Sequence, residues 1–414
     1  MANHQYQNQK KSLNYSKKHI DRSATSIRNK IFGPERDLAI EAIQNFREYH
    51  LYPLMLIKNH IQRTANIINP TILIARRLKR LPTIINKLER PTLDGEESNK
   101  IKITRMQDIA GCRAIVNNLA ELNALQKKLT SSRSVHKIIR VRDYLTPKES
   151  GYGGVHLIYS CFEDFDGLHD WKKANVEVQI RTQLQHAWAT TLEIIDTLEN
   201  IQLKTSYSGH DDWRRFFYLS GCLVAHHEKA CIYSDEDIWA FKEELVALFC
   251  KLDFNLKLAR NTFAIKFANT SINKPSPRYN NGMCLISLTE KTKKPHSYNV
   301  KVELFTTKES KNAVDKYNSY ELEKSISFCA LVSVQEARNL KKAYPNYFGS
   351  TELFRQFLSD NFYKMISKYK EELNNYKSQK ITSKSEMNKL HDKVDTLIDA
   401  INKLGLKDYT SVSV

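Results

Sequence analysis

The chain has 414 residues, 41% of them hydrophobic and 27% charged, with a formal net charge of +18. That length allows two or three domains with real cores, and no apolar run reaches membrane-spanning length. The polar N-terminus, MANHQYQNQKKSLNYSKK, carries no apolar signal segment, and the scattered cysteines include no CxxC pair, so a cytoplasmic protein with reduced thiols and no membrane partner is expected. The charge is uneven: residues 1–90 hold 17 Lys and Arg against 6 Asp and Glu. A field of that sign attracts phosphates, whether on nucleotides or on RNA.

Residues 1–35 read as a basic polar arm. From Asp37 to about Asn69 the spacing of Leu38, Ile43, Phe46, Leu54, Ile57 and Ile61 predicts helix, broken at Pro53. The basic segment ILIARRLKRLPTIINKLER follows, with a helix expected from Thr83. Short β-branched runs then predict strands at Ile101–Thr104, Cys112–Val116, Val135–Arg142, Val155–Phe162 and Val176–Thr182, interleaved with helices at Leu119–Leu129 and Gln183–Leu198. Strands and helices in that order predict a mixed β-sheet flanked by helices, an α+β domain over 36–205. A helical extension is expected over 206–270, with one or two long helices from Asp211 to about Leu258. A Pro- and Asn-rich linker falls at 271–282. A small α+β module over 283–350 follows, with strands at Met283–Leu288, Tyr298–Thr306 and Ile326–Val334 and a helix at Asn312–Lys324. The tail, 351–414, is helical. In it Leu390, Val394, Leu397, Ile401 and Leu404 form a short seam that either docks on its own protein or joins a second copy.

Four constellations carry chemistry. In the first, Thr83 and Lys87 fall one turn apart on a helix whose surroundings include Arg77 and Lys79, a cation cluster suited to a triphosphate; a solvated basic helix would look the same. In the second, Asp108 leads into a strand through Gly111 to Arg113, where a carboxylate can hold Mg²⁺. The third is the loop from Asp143 to His156. Its Pro147, Lys148 and three glycines leave backbone amides open, and an exposed Tyr152 can stack on a base for about 1–3 kcal/mol. The fourth is VEVQIRTQLQHAW, Val176–Trp188. Alternation there puts Glu177, Gln179 and Arg181 on one face of a strand and Val176, Val178 and Ile180 on the other. An apolar back with a front of Glu, Gln and Arg makes a floor for metal and phosphates.

Taken in order, these segments resemble the RelA/SpoT nucleotidyltransferases, as a stand-alone synthetase. The family pattern RxKxxxSxxxK is met by Arg77, Lys79 and Lys87, with Thr83 for serine. DxxxxR is met by Asp108 and Arg113. DYxxxPKxxGYxxxH is met from Asp143 to His156 with one residue fewer before Pro147, and ExQIRTxxxHAW from Glu177 to Trp188. The resemblance covers roughly residues 35–200. It implies that Arg77 and Arg113 sandwich the adenine of ATP and that Lys79 and Lys87 hold its phosphates. It implies Asp108 and Glu177 as the catalytic, Mg²⁺-binding carboxylates, Tyr152 stacked on guanine, and Lys148, His156, Gln179 and Arg181 completing the acceptor pocket. The implied reaction moves the β,γ-pyrophosphate of ATP to the ribose 3′-OH of GDP or GTP, making (p)ppGpp. Glu177 is also a candidate base for the 3′-OH proton.

The chain departs from the family pattern in places. Gly153 and Gly154 stand where many members have Arg and Ser, which should loosen the loop. Leu192 stands where some have a second glutamate. No hydrolase domain is expected, since fewer than 80 residues precede Arg77. His169-Asp170, His210-Asp211 and His391-Asp392 lack companion ligands, and His226-His227-Glu228 reads as ordinary helix. Two other readings remain: a toxin-like relative that pyrophosphorylates the 3′ end of tRNA, and a nucleotide-binding regulator without activity. Self-assembly or a protein trigger through the C-terminal region is expected to control either enzyme.

Overall fold

The computed structural model describes residues 9–79, 81–92, 98–198, 203, 210–254, 258, 283–290, 298–323, 325–333, 347–378 and 384–404. They form two compact units. One comprises Met1–Lys148, Tyr152–Gln185 and His227–Cys231; the other comprises Glu149–Gly151, His186–His226 and Ile232–Val414. The chain therefore divides inside a helix at Gln185, not near residue 205. The linker expected at 271–282 lies outside the described residues.

The first unit begins with three helices, α1 (Lys17–Arg28), α2 (Pro34–Tyr49) and α3 (Leu51–Ile68). The stretch expected to be a polar arm thus holds a helix. Ser16 caps it by accepting the His19 N–H at 3.2 Å. Ile20, Ala24 and Ile27, spaced by four and three, are fully buried. The break between α2 and α3 comes at His50, not at Pro53. Pro53 sits in the first turn of α3, where its missing N–H costs nothing because no helical acceptor precedes it.

Five strands make the sheet: β1 (Leu73–Leu78), β2 (Ala110–Val116), β3 (Lys137–Asp143), β4 (Val155–Ser160) and β5 (Asn175–Thr182), in spatial order β1-β2-β5-β4-β3. Only β2 and β5 run parallel. β1 lies in the basic segment, where no strand is expected. The expected strand at Ile101–Thr104 is instead a loop with a 3₁₀ turn at Ile103–Arg105. Its backbone groups are taken elsewhere: the Ile101 carbonyl accepts Arg28 Nη2 at 2.5 Å, and the Thr104 N–H donates to Asp21 at 3.1 Å.

One apolar core fills the rear of the sheet. Val176, Val178 and Ile180 of β5 pack there with Leu54, Ile57 and Ile61 of α3 and with Leu122, Leu125 and Leu129 of α5 (Leu119–Thr130). A second core joins α1 and α2 to Ile84, Ile85 and Leu88 of α4 (Leu81–Glu89) and to Ile103, Met106 and Ile109. β1 and β3 are the sheet's two edges; the β3 ladder shifts register between Ile138 and Arg140, and Ile139 and Val141 are exposed. At the far end of β5, Thr182 caps α6 (Gln183–Leu198). The Thr182 N–H donates to Gln185 Oε1 and the Gln185 N–H to Thr182 Oγ1, both at 3.1 Å, a reciprocal capping box.

The second unit is built on α7 (Asp211–His227), α8 (Asp235–Lys251), α10 (Tyr347–Ser378) and α11 (Lys384–Leu404). Val394, Leu397, Ile401 and Leu404 of the predicted seam are buried as α11 packs on α10 and α8. Lys393 pairs with Glu243 at 2.7 Å across that contact. The small module has three antiparallel strands, β6 (Met283–Glu290), β7 (Tyr298–Phe305) and β8 (Ile326–Ser333), in order β7-β6-β8. Helix α9 (Ser310–Leu322) packs on β6 and β8 around Leu285, Phe305 and Ala313.

Three loop residues, Glu149–Gly151, belong to this second unit because of α7. Trp188 Nε1 donates to the Phe217 carbonyl (3.1 Å) and Ser220 Oγ (3.0 Å). Gly151 and Gly221 meet backbone to backbone: a Cβ on Gly221 would lie 2.0 Å from the Gly151 carbonyl oxygen. Gly221→Ala should therefore cost about 1–3 kcal/mol by overpacking, read as a lower urea midpoint. An unchanged midpoint would show that the two backbones do not touch.

Candidate active site

The front of the sheet is polar because β5 alternates. Glu177, Gln179 and Arg181 project there while their neighbours enter the core. The register sets Gln179 between Arg113 of β2 and His156 of β4, and Glu177 opposite Gly111 of β2. Gly111 in turn pairs with Arg77 of β1, so the backbone places Arg77 in the row of Glu177. Sequence-predicted residues of β2, β4 and β5 thus share one face.

Hydrogen bonds tie this face into one network. Arg181 Nε donates to the Tyr152 hydroxyl oxygen at 2.8 Å, and Tyr152 Oη lies 2.6 Å from His156 Nε2. His156 Nδ1 lies 3.0 Å from Glu177 Oε1. With a carboxylate at Nδ1, the ring donates there and accepts the Tyr152 O–H at Nε2. Gln179 Nε2 donates to Glu177 Oε2 at 2.8 Å, and the Gln179 carbonyl oxygen accepts Arg181 Nη2 at 2.8 Å and Arg113 Nε at 3.4 Å. Burial pushes the Glu177 carboxyl up, but the hydrogen bonds from His156 and Gln179 outweigh it. The group is held below the usual carboxylate range, with Asp108 pushing the other way.

Asp108 enters β2 three residues ahead of Gly111. Lys79, at the end of β1, pairs with its Oδ2, and Lys87 of α4 reaches the same oxygen at 3.5 Å. Burial raises this carboxyl too, but the two lysines hold it below its ordinary range. Neither carboxylate is sealed off: the side chains of Asp108 and Glu177 are 28% and 13% exposed. They are close enough for the charge of Asp108 to act on Glu177. Two ionised oxygen donors have the chemistry for a hard divalent ion. Among the described residues no group of three or more His, Cys, Asp or Glu is set to hold a metal, so the remaining ligands would be phosphate oxygens and water, as Mg²⁺ favours. Thr83 lies one turn before Lys87 on α4, half-buried.

Two expectations need correction. Tyr152 is half-buried, not exposed, with the Arg181 guanidinium 4.8 Å over its ring. Beside it, Lys148 lies over the ring of Tyr144 at 5.6 Å. Gly153 and Gly154 do not loosen the loop. A Cβ on Gly153 would meet Gln185 at 3.2 Å; Gly154, at φ +132°, lies so close to β5 that a Cβ would meet the Ile180 carbonyl oxygen at 2.9 Å. The loop lies flat on β5 because these two positions have no side chains.

Residues 76–194 match a family model described as "Region found in RelA / SpoT proteins". This segment is a RelA/SpoT region. Over 123 residues the chain is 32% identical to GTP pyrophosphokinase YwaC of Bacillus subtilis (strain 168), covering 30% of this chain and 56% of that one. It is 30% identical over 123 residues to GTP pyrophosphokinase YjbM of the same organism, covering 30% and 54%. The chain spans about half the length of these curated relatives. Among solved structures it is similar to small alarmone synthetase 1 from Bacillus subtilis bound to its product pppGpp (21% identity, 44% of this chain, 92% of that one, TM-score 0.35). It is also similar to small alarmone synthetase 2 from Bacillus subtilis (24% identity, 48% and 96%, TM-score 0.33).

Sequence reasoning missed two residues that support the site. Tyr144 packs edge-on against Tyr152 (5.4 Å) and His156 (5.1 Å); its signal was the aromatic pair flanking the glycine loop. Glu228 accepts the Thr182 hydroxyl at 2.5 Å beneath the capping box, and nothing in the sequence links residues 182 and 228. Burial raises the Glu228 carboxyl to about 7, against the lowering effect of Thr182 and Gln185. The folded state thus holds a proton that the unfolded chain releases near 4.5, so stability falls as pH rises through that interval. Glu228→Gln should remove a decline on the order of 2–3 kcal/mol between pH 4.5 and pH 7, measured by urea denaturation across pH; parallel wild-type and variant curves would refute this.

Proposed function

We propose that the RelA/SpoT region transfers the β,γ-pyrophosphate of ATP to the ribose 3′-OH of GDP or GTP. The observation that carries this reading is the pair of ionised, partly exposed carboxylates, Asp108 and Glu177, flanked by Lys79, Lys87, Arg113 and Arg181. Phosphoryl transfer needs alignment and charge neutralisation more than covalent help from the protein. Lys79 and Lys87 are positioned to exchange Asp108 for the phosphates of ATP. Asp108 and Glu177 are the residues to hold Mg²⁺, which when bound neutralises phosphate charge.

The remaining steps fall to side chains of this chain. Arg77 and Arg113 hold adenine, as the family resemblance implies. The acceptor base stacks on Tyr152, whose hydroxyl is fixed by Arg181 and His156. Glu177, kept ionised by His156 and Gln179, takes the 3′-OH proton as that oxygen attacks the β-phosphorus. The bond from the β-phosphorus to the oxygen bridging it to the α-phosphorus breaks, and AMP leaves with that oxygen.

The test gives the purified chain γ-³²P-ATP with GDP, GTP or bulk tRNA and resolves the products. Label on the guanine nucleotide is expected; label on tRNA would move the reading to the toxin-like reaction, and no label with ATP still bound would make the chain a regulator. Glu177→Gln should bind ATP within about threefold of wild type and lose at least 100-fold in turnover, the size of general-base catalysis; unchanged turnover would exclude the proton-acceptor role. Tyr152→Ala should weaken acceptor use about tenfold or more with ATP affinity kept; equal losses would contradict stacking.

A further inference from the structure

A cavity of about 600 Å³ opens on the rear of the sheet, between α3 and the entry to β3. His60, Gln62 and Arg63 line one side and Ser134, Val135 and His136 the other, with Leu56 adding an apolar wall. None of these residues belongs to the carboxylate face. The size suits a small organic ligand rather than a single ion.

The chemistry of the walls is lopsided toward donors. Arg63 supplies an exposed guanidinium, and Gln62 the second N–H of an amide nitrogen that already donates to Asn66 Oδ1 at 3.0 Å. His136 Nδ1 accepts the Phe162 N–H at 3.1 Å, which leaves Nε2–H as the ring's donor. Burial holds both histidines uncharged at neutral pH: His136 is lowered to about 4, by burial and then by His60 and His169, and His60 is lowered by burial and by Arg63. The site's positive charge is therefore that of Arg63, with neutral donors around it.

A second observation points the same way. His60 Nε2 is buried without a hydrogen-bond partner, and so is the hydroxyl of Tyr159, a residue only 1% exposed. The two rings stand 6.2 Å apart at 76°. Orphaned polar atoms in a core are costly and rare, and one of these two belongs to His60, a residue of the cavity wall.

We propose that this cavity is a second ligand site, taking a small phosphorylated molecule whose anionic oxygens meet Arg63 and the donors of Gln62 and His136. Guanidinium recognition of phosphate is directional and charge-assisted, and Leu56 and Val135 offer the organic part an apolar wall. The site lies across the sheet from Asp108 and Glu177 and does not depend on which acceptor the front face uses.

Inorganic pyrophosphate is the probe, titrated by calorimetry into the full chain carrying Lys79→Ala and Lys87→Ala, which removes the two lysines proposed to hold phosphate on the front face. One binding event per chain should remain. Arg63→Ala should weaken it at least tenfold, and Val135→Trp, which fills the cavity from its exposed rim, should abolish it. In the wild-type chain the ring-proton resonances of His60 and His136 should shift as the probe is added. Loss of all binding in the double lysine variant, or equal binding with Arg63→Ala and Val135→Trp, would overturn the proposal. Failure of the labelled-transfer assay would leave these readouts untouched.

Discussion

Two chains of hydrogen bonds on the front of the sheet converge on Glu177. Arg181 donates to Tyr152, Tyr152 to His156 and His156 to Glu177, while Arg181 and Arg113 donate to Gln179 and Gln179 to Glu177. A half-buried carboxylate survives as an anion only when such bonds replace the water it has lost. Removing any member leaves another with an unmade bond, so the face behaves as one unit. The strand that carries it must also bury Val176, Val178 and Ile180 without a break. A one-residue slip of β5 would exchange the two sets and destroy core and site together.

The same economy governs the cations. Lys79 and Lys87 come from different elements, the end of β1 and the last turn of α4, yet converge on one oxygen of Asp108. In the folded chain Asp108 supplies both lysines with a charge-assisted partner. Under the function proposed above, an arriving triphosphate would exchange one set of charge-assisted bonds for another.

Much of this arrangement was legible in the sequence, since strict alternation at Val176–Thr182 places Glu177, Gln179 and Arg181 without coordinates. The runs at Cys112–Val116 and Val155–Phe162 likewise mark β2 and β4, and Gln183–Leu198 is the helix expected. What escaped was decided by partners distant in sequence. β1 was hidden because LIARRL breaks hydrophobic periodicity with adjacent arginines, and its strand character comes from pairing with β2. Ile101–Thr104 has strand composition, but Asp21, Arg28 and Asn99 claim its backbone groups first. α1 was masked by its polar majority, though its three buried residues follow helical spacing. The bond between Thr182 and Glu228 has no sequence signature.

β3 is one edge of the sheet, and it carries solvent-facing Ile139 and Val141. A flat edge of that kind recruits foreign backbone and seeds polymerisation. Here the register shift between Ile138 and Arg140 interrupts the row of outward amides, and Arg140 and Arg142 repel an identical edge brought alongside. The hairpin that frames the glycine loop thus guards itself against strand-to-strand stacking at high concentration, using the positive charge that also favours phosphate-bearing molecules.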